Sequence, residues 1–278
     1  KDDGGLLTSR ELTRALTAQG YEFSERTVRL YLQELDSEGL TENFGRRGRK
    51  ITPKGLAEFD AAQTLSRVGF LSAKIDQMAY RMSFDLARRT GTIVVNTGVV
   101  DPNQLTQCLD RVCRVFEQGY AMGHLAGLIG PGETLGNTII PEGLIGFCTV
   151  CSITLNGVLL KHGVPTHSRF GGLLELVDGR ALRFLEMITY DGTTIDPLEV
   201  FIRSAMTDYL GAISTGNGRI GASFREIPAD SCSLVADLAE KLAVIGLGGF
   251  MKIGQPGREL LGIPVSEGRA GAIVIGGL

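Results

Sequence analysis

The sequence predicts a small, truncated winged helix-turn-helix followed by an α/β or α+β regulatory domain. Three observations carry this reading. Residues 8–54 hold two capped helical patterns and a basic, glycine-bracketed hairpin. Beyond Asp60, β-type apolar runs alternate with helical ones, as in mixed helix-and-sheet domains. The chain has 278 residues, 43% of them hydrophobic, enough for a sizeable core. Glycine is about 14%, roughly twice the common level, yet follows no triplet period, which excludes collagen. No apolar run is long enough to cross a bilayer, and KDDGGLL lacks the form of a signal peptide. A cytoplasmic protein is therefore expected, and five cysteines, an odd number, argue against a disulfide framework.

In the first pattern, Thr8 with Glu11 forms a capping box, Leu12, Ala15 and Leu16 share a face, and Gly20 marks the stop. Ser24 then caps a second helix that Gly39 ends. At 100° per residue, Val28, Tyr31, Leu32 and Leu35 fall on one side, and Arg26, Arg29 and Gln33 on nearly the opposite side, with Leu30 among the polar residues. Such a helix buries one face and offers the other to a DNA major groove, with Ser24 and Thr27 near its start suited to phosphates or base edges. Leu40–Phe44 and Lys50–Thr52 are expected to pair around GRRG, and Pro53 to open a further helix. Phe44–Lys54 carries Arg46, Arg47, Arg49, Lys50 and Lys54 without an acid, so the net charge of −3 hides a strongly basic wing suited to phosphates. The competing reading is a solvated charged face on a helical hairpin. Residues 1–60 are thus assigned to a DNA-binding domain and 61–278 to a second domain.

Within the second domain, residues 61–90 read as mostly helical with an interruption at Gly69. Strands are expected at Thr92–Asn96, Gly146–Leu155, Gly157–Leu160, Leu173–Val177 and Ala270–Ile275, and helices at Pro102–Gln118, Pro197–Tyr209 and Cys232–Ile245. The chain starts directly before the first pattern and stops after AIVIGG, so it is expected to be a fragment of a longer protein, with a helix missing ahead of Thr8.

The strings CTVCSITLNGVLLKHGVP, THSRFGGLLEL, ALRFLEMITYDGTTIDPLEVFI and GNGRIGASFREIP resemble the regulatory domain of NrpR-type transcriptional regulators. The resemblance extends from about Ser24 to Gly277. It implies a repressor of nitrogen-assimilation genes, a homodimer reading a palindromic double-stranded operator, and 2-oxoglutarate as effector. It implies neither a cofactor nor an enzyme activity.

Read chemically, a dicarboxylate needs a fixed cation and exposed backbone N–H groups. Arg169, between Ser168 and the pair Gly171 and Gly172, offers both, with His167 adjoining. The alternative is a tight turn with Arg169 paired to Glu175 or another carboxylate. Arg219 and Arg225 are second-choice cations, Arg225 being expected in an internal ion pair or solvated. Cys148 and Cys151 have redox or zinc spacing, but no second pair accompanies them, so packing in a buried strand is favoured, with Thr149 and Cys151 available to line the pocket. IGLGGF and GPGETLG lack the full nucleotide-binding frames. The runner-up function is a metabolite-binding protein or enzyme whose N-terminal module recruits a partner.

Overall fold

A computed structural model describes residues 6–18, 23–58, 71–135 and 138–277. The chain forms two compact units, Lys1–Gly69 and Phe70–Leu278. The stop at Gly20, the interruption at Gly69 and the end of GPGETLG at Gly136 lie outside the described residues.

In the first unit, helix α1 spans Ser9–Ala18. Its capping box is formed: the Thr8 backbone N–H donates to the Glu11 carboxylate at 2.8 Å, and the Glu11 N–H donates to Thr8 Oγ1 at 3.4 Å. Helix α2 spans Glu25–Ser37, with Ser24 Oγ accepting from the Thr27 N–H. Strands β1 (Thr41–Asn43) and β2 (Arg49–Ile51) pair antiparallel, Glu42 facing Lys50. Leu7 exchanges backbone hydrogen bonds with Arg49 and adds a third edge to this hairpin. Helix α3 follows and is described over residues 53–58. Val28 and Leu32 are buried as expected, but Tyr31 is 56% exposed, its ring edge-on to Phe23. A unit this small has too little interior to cover the whole apolar side of α2.

The second unit begins with α4 (Leu71–Arg81), then β3 (Val95–Val100) and α5 (Pro102–Glu117). Asp101 caps α5, and Pro102 occupies its first turn. Strands β4 (Ala126–Ile129), β5 (Thr134–Leu135), β6 (Thr138–Ile139) and β7 (Ile145–Val150) precede α6 (Ile153–Lys161). The long hairpin β8 (His167–Val177) and β9 (Arg180–Thr189) leads through a 3-10 turn, Tyr190–Gly192, to α7 (Pro197–Arg203) and α8 (Tyr209–Thr215). β10 (Gly218–Pro228), α9 (Cys232–Val244), β11 (Phe250–Ile253) and β12 (Arg269–Ile275) complete it.

The main sheet has the order β11-β12-β10-β8-β9 and a smaller one the order β3-β7-β4. All strand pairings among the described residues are antiparallel, which places the unit on the α+β side of the expected fold class. Phe170, Phe184 and Phe224 meet in the core with Leu174, Ile220 and Ile273 around them.

The strand expected at Gly157–Leu160 and the end of the one expected at Gly146–Leu155 become one helix, while Gly146–Val150 lies in strand β7 as expected. Residues Thr154–Leu159 are buried without interruption, so α6 shows no amphipathic period. A short apolar run enclosed on all sides cannot be told from a buried strand by periodicity. Likewise, the helical pattern 197–209 breaks after Arg203 and resumes at Tyr209.

Gly48 has φ +109°, and an added Cβ would lie 2.7 Å from the Leu7 backbone. Gly48→Ala is therefore expected to destabilise the first unit by about 1–3 kcal/mol. Denaturation followed by limited proteolysis of this unit checks it; an unchanged transition would contradict the required close approach.

Candidate functional site: a basic reading face and a buried guanidinium

In the first unit, the basic residues divide into two groups. Arg26, Gln33, Arg46, Arg47 and Lys50 are exposed. Arg47 stacks over the Phe44 ring at 5.8 Å, which orients it at the wing tip. Arg29 is exposed too, but bonds Glu25 one turn earlier at 2.7 Å. Exposed pairs of this kind contribute little and exchange readily with another anion.

The other predicted DNA contacts serve the unit itself. Arg49 Nε donates to Asp36 at 2.7 Å, with both side chains mostly buried. Asp36 also accepts from the Thr41 hydroxyl at 2.6 Å. The Arg49 guanidinium therefore fastens the wing to α2 instead of facing outward with Arg46 and Lys50. Ser24 and Thr27 share a hydroxyl hydrogen bond of 2.8 Å inside the cap of α2.

In the second unit, the residues expected to bind an effector do not form one pocket. Arg169 Nη1 donates to Glu226 at 2.9 Å and to the Pro264 carbonyl, and its guanidinium lies 5.5 Å from the Phe224 ring centroid. Glu226 is buried and accepts also from the Ser266 N–H. Its burial pushes the carboxyl up, but the Ser266 and Arg169 interactions outweigh this and hold it below its usual range. Arg169 thus has its carboxylate partner, in a continuous strand and not in a tight turn.

Gly171 and Gly172 admit neighbouring side chains. A Cβ on Gly171 would meet Pro197 at 2.8 Å, and one on Gly172 would meet the Phe184 ring at 2.6 Å. Arg219 lies exposed on β10 opposite Glu175, remote in register from Ser168. Thr149 is buried within β7. His167 is exposed, with Nε2 3.8 Å from the Asp191 carboxylate.

One of the expected residues, Ser168, is linked through Asn156 to Arg225, which ranked behind it. Arg225 is 3% exposed and has no carboxylate within ion-pair distance among the described residues. It donates to the Ser152 carbonyl at 2.8 Å, to Ser152 Oγ at 2.7 Å and to Asn156 Oδ1. Its Nε is buried without a hydrogen-bond partner among the described residues. Asn156 in turn donates to Ser168 Oγ at 3.0 Å. Burial lowers the Arg225 pKa, while raising the Cys151 thiol and pushing the Tyr190 phenol up to about 12. Tyr190 therefore stays neutral near pH 7 and supplies no countercharge. The guanidinium thus keeps one buried N–H without an acceptor among the described residues.

The cysteines at 148 and 151 form no disulfide, and burial raises both thiols. Among the described residues, no group of three His, Cys, Asp or Glu is placed to hold a metal ion. No helix among them is long and apolar enough to cross a membrane.

A winged helix-turn-helix with an outward basic face, in one chain with a larger α+β unit, is the architecture of a transcriptional regulator. Residues 68–278 match the NrpR regulatory domains NRD1 and 2, and residues 2–59 match the ribonuclease R winged-helix domain. The global nitrogen regulator NrpRI of Methanosarcina mazei is 33% identical over 98% of this chain and 84% of its own length. The global nitrogen regulator NrpR of Methanococcus maripaludis is 30% identical over 95% of this chain but 45% of its own length. A crystal structure of a nitrogen repressor-like protein from Methanococcus jannaschii superposes with a TM-score of 0.63 at 26% identity, over 75% of this chain and 84% of that one. The chain belongs to the NrpR family.

The Asp36–Arg49 link gives a pH prediction. Burial raises the Asp36 carboxyl, but hydrogen bonds from Thr41 and Arg49 and the guanidinium charge lower it by more. A depressed carboxyl stabilises the fold above its unfolded value and loses that contribution as pH falls through the folded value. Asp36→Ala is expected to destabilise the first unit by about 1 kcal/mol near pH 7, and by less in acid. Melting curves over an acidic pH series check both the size and the convergence.

Proposed function

We propose that the protein is a nitrogen-responsive repressor that binds a palindromic operator as a homodimer and is released by 2-oxoglutarate. The observation that carries the DNA-binding part is the exposed wing cations Arg46, Arg47 and Lys50, of which Lys50 alone faces an acid, Glu42, together with the exposed residues Arg26 and Gln33 of α2. The wing cations meet phosphates, and α2 reads base edges in the major groove.

The effector part rests on Arg225. A carboxylate of 2-oxoglutarate supplies the countercharge that the guanidinium lacks and accepts from its unused Nε–H. Ser152 and Asn156 hold the guanidinium at the start of α6, and α4 packs against both α6 and the Tyr190–Gly192 turn. α4 follows directly on the first unit in the chain. An anion preferring a displaced α4 shifts the population away from the DNA-competent form. Arg169, held by Glu226, is not the anchor in this reading.

Replacing Arg46, Arg47 and Lys50 together by Gln is expected to lower the slope of log affinity against log salt by about 0.9 per contact removed. Operator titrations at several salt concentrations measure this, and an unchanged slope would remove the wing from the interface. For the effector, Arg225→Lys should weaken 2-oxoglutarate binding by about tenfold or more, because one ammonium cannot reproduce the fork geometry. Calorimetry reads the loss, and an unaltered dissociation constant in a folded variant would move the site elsewhere.

A further inference from the structure

A cavity lies at the start of β8, with a volume of about 320 Å³, at the low end for ligand pockets. Its wall combines Ser72 and Asp76 from α4, Asp191 from the 3-10 turn, Thr166 and His167 from the entry to β8, and Arg269 from the entry to β12. Charged side chains of both signs line this space. Arg269, half-buried, has no ion pair or hydrogen bond from its side chain among the described residues, and neither has Asp76. Asp191 has His167 at 3.8 Å, beyond hydrogen-bond length. The Thr166 hydroxyl is withdrawn from solvent and lacks a hydrogen-bond partner among the described residues.

The arrangement narrows the ligand. A metal ion is disfavoured, since no group of three suitable donors converges among the described residues. A dicarboxylate would confront Asp76 and Asp191, and a diamine would confront Arg269. A molecule carrying one charge of each sign meets an opposite charge at both ends of the cavity.

We propose that this cavity binds a free α-amino acid as its zwitterion. The carboxylate lies against the Arg269 guanidinium, and the ammonium lies between Asp76 and Asp191. Ser168 also lines the cavity and accepts from Asn156, the neighbour of Arg225. The amino acid therefore lies against a residue hydrogen-bonded to that polar cluster, and grips α4 through Asp76. This site is separate from the 2-oxoglutarate reading in both ligand and residues, so either stands if the other fails.

The test is calorimetric titration of the full chain with L-alanine, L-glutamine and L-lysine, with succinate and putrescine as single-sign controls. At least one amino acid is expected to bind in the millimolar range or tighter, and to keep its affinity when Arg225 is replaced by Lys. Asp76→Asn, on the exposed surface of α4, and Arg269→Gln should each weaken it by about tenfold or more. Absence of heat with all three amino acids overturns the proposal. So does binding of either control as tight as that of the amino acids, or an amino-acid affinity indifferent to both substitutions in folded protein.

Discussion

The guanidinium of Arg225 joins parts of the larger unit that share no strand. It stands in β10, near the middle of the main sheet, and bonds to residues that follow the last strand of the small sheet and open α6. Burying a cation there without a carboxylate costs free energy unless dipoles surround it. The Ser152 carbonyl and hydroxyl and the Asn156 amide provide those dipoles, and so fix where α6 begins. The helices and the turn around this point take their positions from one charge that must be solvated by protein.

The smaller unit shows a division of labour among like side chains. Arg46, Arg47 and Arg49 lie within four positions of one another, yet the first two are exposed and the third is tied to α2. A hairpin only three residues long on each side has little apolar area with which to hold itself in place. An ion pair reinforced by the Thr41 hydroxyl, together with the Leu7 edge, does that work. The outward cations gain a fixed platform at the expense of one of their number.

Legibility in the sequence followed the range of the interaction. The Thr8–Glu11 box, the Ser24 cap, the hairpin and the Asp101-capped helix all depend on neighbours a few residues apart, and all were readable. α6 was not, because a segment enclosed on every side carries no periodic trace of its shape. Arg169 and Arg225 differed in a way that spacing cannot encode. The carboxylate that holds Arg169 is 57 positions away, and the groups that hold Arg225 are about 70 positions away. A register shift between Phe224 and Arg225 further uncouples the two strands' facing from simple alternation. The amino-acid cavity draws on four separated segments, and only its His167–Ser168 edge had attracted notice in the sequence.

Consider finally the glycine pair in β8. At Gly171 the space above the strand belongs to Pro197 and Tyr190; at Gly172 the space below belongs to Phe184. Adjacent positions on opposite faces are both already occupied from outside. The permitted side-chain volume is close to nothing in either direction, so this level of the sheet has no independent means of varying. Any change of side-chain volume at that height has to come from Pro197, Tyr190 or Phe184, with the strand itself serving as the blank between them.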